Sequence, residues 1–192
     1  MSGVPDGEDR RRERVPSVAP RWQWSRMPRL TPAELYAVLA ARQEVFTVEQ
    51  NCAFLDADGH DAHAWHLLGW VNDSDAERLV AYLRVLDPGR KFAEPSIGRV
   101  LTLAPHRGTG LGRVLMVEGL ARTVATWPGR PIRIAAQQRL EPFYASLGFQ
   151  TASIPYDEDG IAHIDMVLEA DAAAVRAFIR YDSPDPLDHR SR

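Results

Sequence analysis

The chain has 192 residues, enough for one domain that buries a core without help from a metal or a disulfide. Hydrophobic residues make up 45%, charged residues 26% and the net charge is −3, so composition gives no bulk electrostatic reason to bind nucleic acid or an anionic membrane. The one cysteine, Cys52, excludes an intramolecular disulfide framework and a cysteine-based zinc site, and no apolar stretch reaches the ~18 residues of a membrane span. The N-terminus carries charge without a following apolar run, so no secretory signal is read and a reducing, cytoplasmic location is expected.

Residues 1–21 are rich in Arg, Asp, Glu, Pro, Gly and Ser and include the run Arg10 to Arg14, which reads as a disordered tail. Arg21 to Met27 alternates polar and bulky residues, predicting a strand with Trp22 and Trp24 on one face. Thr31-Pro32-Ala33-Glu34 has the form of a capping box, and Leu35, Val38, Leu39, Val45 and Phe46 continue a helical face that Arg42 interrupts, either at its edge or paired. From Thr47 to Ala64 the pattern is irregular. Asp56, Asp58 and Asp61 read as a solvated acidic loop, with an acidic mouth for a cationic amine as the functional alternative. An EF-hand is excluded because its glycine position holds Asp61, while His60, His63 and His66, three apart, leave a metal site as the other alternative.

Trp65 to Val71 and Leu79 to Leu86 predict an antiparallel hairpin, followed by a central strand at 97–104. A long helix follows, then a strand from Pro131 to Ala136, a short helix over 138–147 and closing strands at 149–155 and 161–169. Asp171 is placed to cap one more helix reaching about Tyr181, with a polar tail beyond it. This divides the chain into a tail (1–21), a catalytic-sized domain (22–170) and a short helix with tail (171–192).

The stretch from Ser96 to Arg122 holds the strongest chemical signal: strand, glycine-studded turn, helix. A helix N-terminus offers unpartnered N–H groups and a positive dipole, and Gly108, Gly110 and Gly112, flanked by Arg107 and Arg113, let a phosphate approach it. A P-loop needs a lysine, and the only lysine is Lys91. The dinucleotide pattern G-x-G-x-x-G needs glycine at 113, where Arg113 stands. What fits is R-x-x-G-x-G, met by Arg107, Gly110 and Gly112.

That loop resembles the acyl-CoA pyrophosphate loop of the GNAT N-acetyltransferase superfamily. Over about residues 22–169 the element order also resembles the GNAT fold, an α/β architecture with a mixed, strongly twisted central sheet and helices on both faces. Within the superfamily the chain looks like the ElaA group, through Arg42 to Gln50, Asp58-Gly59 with Asp61, His66 to Trp70, Ile97 to Val100, Gln137, Phe143-Tyr144, Gly148-Phe149, Asp159 to Ile161, and His163-Ile164 with Met166. The resemblance implies transfer of an acetyl group from acetyl-CoA, as co-substrate and without a metal, to an amine of a small molecule or peptide by direct attack. Neither nucleic acid nor membrane is implied as a partner, and a monomer or homodimer is expected.

Carried onto this chain, the resemblance places the pantetheine arm along the backbone of Leu101, Thr102 and Leu103, as an added strand, and the pyrophosphate on Arg107, Gly108, Thr109, Gly110, Leu111, Gly112 and Arg113. Tyr144 is the expected donor to the departing thiolate, since a phenol of pKa ~10 keeps its proton where a thiol of ~8.5 loses one. The glutamate that many relatives carry on the central strand is absent. Glu49, His163 and His66 are the candidate bases, with a water relay as the alternative, and each has a structural reading: Glu49 as partner of Arg42 or Arg84, the histidines as groups satisfied within the sheet. A noncatalytic CoA-binding regulatory module and a nucleic-acid binder acting through the Arg-rich tail are the rival functions.

Overall fold

The computed structural model describes residues 19–73 and 76–169. Nearly all of the expected N-terminal tail, and the helix and tail expected over 171–192, lie outside these residues.

Eight strands form one open, mixed sheet: β1 (Arg21–Arg26), β2 (Ala64–Asp73), β3 (Ala76–Leu86), β4 (Ser96–Thr102), β5 (Ile132–Gln137), β6 (Gln150–Thr151), β7 (Tyr156–Glu158) and β8 (Ile161–Leu168). Their spatial order is β1-β2-β3-β4-β5-β8-β6, with β7 also on β8. Every neighbouring pair is antiparallel except β4 and β5. The hairpin expected from the apolar runs at 65–71 and 79–86 extends beyond them, to Asp73 and Ala76. The expected strand at 149–155 shrinks to Gln150–Thr151, because Pro155 has no N–H and Ser153 spends its hydroxyl on the Asp165 N–H.

Helices cover both faces. α1 (Pro32–Arg42) begins with the anticipated capping box: the Glu34 N–H donates to Thr31 Oγ1, and the Glu34 carboxylate accepts from the Thr31 N–H. Such a cap is worth ~1 kcal/mol. The helix then widens into a π-helix over Gln43–Glu49. Val38, Ala41 and Val45 pack on Leu68, Trp70, Tyr82 and Leu101. On the other face α2 (Leu111–Thr126) buries Leu115, Met116 and Leu120 against Leu67, Leu83, Val85 and Ile134, beside the short α3 (Glu141–Ala145). Each fully buried aliphatic side chain of this kind contributes ~1.5–3 kcal/mol. Trp22 reaches across to Gly69, where an added Cβ would sit 2.6 Å from the indole, so only glycine fits under that ring.

One irregularity shapes the centre of the sheet. Tyr82 faces Leu101 and Arg84 faces Gly98, so Arg99 and Val100 together oppose the single residue Leu83. This is a β-bulge, which bends and twists the strand that carries it. Arg99 takes φ of +53°, a left-handed conformation costing a non-glycine residue ~1–2 kcal/mol. Beyond the bulge β4 parts from β5: the two strands pair at one position, Ser96 with Arg133, and then diverge.

Candidate active site

The divergence leaves a cleft of about 1070 Å³ between β4 and β5, walled by residues 45–58, the ends of β5 and β8, and Tyr144 of α3. It brings together Glu49, Leu101, Thr102, Arg107, Tyr144 and His163. Leu103 and the loop from Gly108 to Arg113 lie outside its lining, at the end of β4 where the chain turns into α2.

Along β4 the backbone groups alternate sides. The Leu103 N–H is spent on Val80 O of β3 at 2.9 Å, which turns the polar groups of Thr102 toward the cleft. There Arg107 Nε donates to Thr102 O at 2.8 Å. Of the three residues expected to pair with a strand-like ligand, Thr102 therefore presents backbone groups to the cleft and Leu103 does not present its N–H.

Gly110 is the N-cap of α2, with φ of +88°, and Gly108 has φ of +75°. A Cβ at either position meets no protein atom within 4 Å, so within the protein it is the left-handed backbone that favours glycine here. Arg113 and Val114 already donate to Gly110 O, whereas the N–H groups of Leu111 and Gly112 in the first turn have no acceptor among the described residues.

Tyr144 is 7% exposed, its ring edge-on to Phe143 and Phe149 at centroid distances of 5.1 and 6.0 Å. Its hydroxyl has no hydrogen-bond partner among the described residues, and burial alone pushes its pKa up to about 12. The group is a proton-retaining donor on the wall of the cleft.

The candidate bases separate. Glu49 pairs with Arg107 at 2.7 Å, not with Arg42 or Arg84. His66 is sealed in the sheet: Nε2 lies 3.0 Å from Asp61 O, which can only accept, so Nδ1 accepts from the Tyr82 hydroxyl at 2.7 Å. Burial lowers its pKa, in keeping with a neutral ring. It has the structural role. His163 lines the cleft with Nδ1 2.8 Å from Ile161 O, which fixes the proton on Nδ1 and leaves the lone pair of the neutral ring on Nε2.

The stretch from Asp56 to Asp61 is not a solvated acidic loop. Arg42, fully buried, donates to Asp56 Oδ2 and Asp61 Oδ1, both at 2.6 Å. Arg84 holds Asp58 at 2.6 Å and Asp61 at 2.9 Å, and Arg99 holds Asp56 at 2.6 Å and Asp58 at 3.2 Å. The guanidinium groups outweigh desolvation and draw the Asp58 and Asp61 pKa values below the usual carboxylate range. Arg42 thus proves paired, as one reading of its place on α1 allowed, but its partners lie 14 and 19 residues on. Nothing in the sequence marks Arg84 or Arg99 as the other two members. Among the described residues no group of three or more His, Cys, Asp or Glu is gathered as a metal would need.

An open seam in a mixed sheet, a glycine-capped helix at its end and CoA-sized space between the strands define an acyl-CoA-dependent acyltransferase fold, and residues 60–170 match the family described as an acetyltransferase (GNAT) domain. The chain belongs to the GNAT family. Within it the chain is similar to protein ElaA of Escherichia coli, at 41% identity over 150 residues covering 77% of this chain and 95% of that protein. The crystal structure of that protein aligns with a TM-score of 0.72 over 78% of this chain and 99% of the other. A UPF0039 protein of Synechocystis is 43% identical over 146 residues, 76% of this chain and 93% of that one. An acyl-CoA N-acyltransferase from Pseudomonas aeruginosa aligns with a TM-score of 0.73 at 38% identity, over 78% and 99% of the two chains. The fold and family are those of enzymes that take a CoA-derived substrate.

Proposed function

We propose that the protein is an N-acetyltransferase that moves the acetyl group of acetyl-CoA to a primary amine of a small molecule or peptide. The observation that carries this reading is the gap opened by the β4 bulge, which exposes the Thr102 backbone on one wall and the unpartnered Tyr144 hydroxyl on another. The pantetheine arm lies along β4 as a missing strand. The pyrophosphate takes the free N–H groups at the start of α2, with Arg107 and Arg113 beside it. The amine nitrogen attacks the thioester carbon, forming the C–N bond, and the C–S bond breaks as the tetrahedral intermediate collapses. The amine proton passes to Nε2 of His163, the cleft-lining base whose tautomer is fixed; Glu49, held by Arg107, positions that arginine at the phosphate end.

The departing thiolate takes a hydrogen bond from Tyr144. A phenol pushed up to about 12 does not hand its proton to a thiolate whose conjugate acid has a pKa of ~8.5, so its contribution is a hydrogen bond rather than proton transfer. A cytoplasmic enzyme, monomer or homodimer, acting without nucleic acid or membrane completes the reading. Among the described residues no helix is long and apolar enough to cross a membrane.

Tyr144→Phe keeps the ring and removes the donor. With chemistry rate-limiting, CoA release should fall by ~10²-fold or more while calorimetric acetyl-CoA binding persists. Parental turnover in Tyr144→Phe would remove this role, and CoA binding by the parent with no release from any amine would identify a regulatory module instead.

A further inference from the structure

β4 spans seven residues, roughly 20 Å of strand. The phosphate loop follows its C-terminal end, whereas residues 87–95 lead into its N-terminal end, so the cleft has a wall well away from the phosphates. That wall includes Phe54, Leu55, Arg90 and Phe92. Lys91 ties it to Glu158 at 3.2 Å, and Cys52 Sγ lies 3.9 Å from Asp159 O, so three loops enclose it.

Its charges are matched in an informative way. Asp56, Asp58 and Asp61 meet Arg42, Arg84 and Arg99, one guanidinium per carboxylate, at 2.6 to 3.2 Å. Glu158 has Lys91. Asp159 is the lining carboxylate with no cation on it among the described residues, and Arg90 is the cation at this end with no carboxylate. Meanwhile Phe54 is 53% and Leu55 83% exposed, so large apolar side chains face an otherwise neutralised mouth.

We propose that the acceptor is an apolar α-amine, the free amino end of an apolar amino acid or short peptide, with its carboxylate toward Arg90. The proposal rests on the acyl-transfer reading above. A polycation finds one uncompensated carboxylate here, too few for several ammonium groups. An acidic pocket would also stabilise the ammonium form, which cannot attack. The α-amino group of a peptide, of pKa ~8, is neutral at pH 7 about 10²-fold more often than an alkylamine of ~10.4 and asks correspondingly less of the base; the α-ammonium of a free amino acid, beside its own carboxylate, keeps only part of that advantage.

The test follows CoA release from acetyl-CoA with the full chain and five acceptors: the dipeptide Phe-Leu, phenylalanine, phenethylamine, Nα-acetyl-lysine and spermidine. Phe-Leu or phenylalanine should exceed Nα-acetyl-lysine and spermidine by at least about tenfold in kcat/KM, and which of the two is better separates peptide from free amino acid. Arg90→Ala should raise KM for the carboxylate-bearing substrate by about tenfold and leave that for phenethylamine unchanged. Preference for spermidine or Nα-acetyl-lysine overturns the proposal, as does an equal effect of Arg90→Ala on both substrates. CoA binding is measured separately by calorimetry: its absence refutes the acyl-transfer reading, while CoA binding without turnover of either apolar α-amine refutes the acceptor assignment.

Discussion

Arg42→Met isolates the charge network that holds residues 50–61 against the sheet. Methionine keeps an unbranched stem of similar reach inside a fully buried site, and it loses three charge-assisted bonds, to Asp56 Oδ2 at 2.6 Å, Asp61 Oδ1 at 2.6 Å and Asp56 O at 2.8 Å. Removing one member of a buried ion pair costs ~3–5 kcal/mol, because its partners stay behind unmatched. Here the partners are not left bare. Asp56 retains Arg99 at 2.6 Å and Asp61 retains Arg84 at 2.9 Å, and their side chains are 15% and 13% exposed, so the lower end applies. The expected loss is about 3 kcal/mol, or a fall in Tm of roughly 6–12 °C at about 2–4 °C per kcal/mol for a domain this size. Urea unfolding gives the free energy, and Asp61→Asn made alone and together with Arg42→Met gives the coupling. A loss below about 1 kcal/mol at pH 7, or strict additivity of the two substitutions, would refute the idea that this network fixes the segment.

Acetyl-CoA at a hundredfold excess over its Kd should stabilise the parent by about 2.7 kcal/mol; Gly110→Ala, forced into φ of +88°, should cost about 1 kcal/mol or more by itself and shrink that ligand shift, read by thermal denaturation. His163→Gln should lower kcat while acetyl-CoA binding persists, whereas parental kcat assigns the proton to Glu49 or to water. Acid should destabilise the fold in two stages. Burial lowers the folded pKa of His66, so its contribution is complete above the unfolded value of ~6.5 and is lost as pH falls through the folded one. Asp58 and Asp61 are also lowered, so theirs begins to go below the unfolded ~3.9 and is lost as pH falls through their folded values; stability measured from pH 8 to 2 that rises anywhere on the acid side would contradict both assignments.

Local signals were legible where short-range chemistry decides the outcome. Thr31 and Glu34 start α1 because a capping box closes within four residues. Gly108 and Gly110, read as room for a phosphate, prove also to hold left-handed backbone, a conformation not read from the sequence. The hairpin of β2 and β3 follows from two apolar runs on either side of a polar link. The misreadings fall where distant partners decide. Asp56 to Asp61 look solvated until Arg42, Arg84 and Arg99 arrive from α1, β3 and β4, and α1 alone hinted at this through a charge on its apolar face. Arg99 at φ of +53° breaks the usual preference for glycine, and only the pairing of Leu101 with Tyr82 and Gly98 with Arg84 reveals the extra residue. Glu49 found Arg107 because the π-helical turn after α1 carries it toward the cleft, a change of helical pitch that apolar spacing does not announce.

The lone Ser96 and Arg133 pairing has a consequence for the protein's life between turnovers. Most sheets hide their raw edges at the periphery, where charge or a covering helix guards against other chains. This one carries two more in its middle, bordering a gap wide enough to admit an extended chain. Arg107, by donating to Thr102 O, bandages one of them with a cation, and such a bandage must come off for a strand-like ligand to pair there. A ligand lying along β4 as proposed would also close this seam, covering the two inner edges that the divergence of β4 from β5 leaves open to foreign strands.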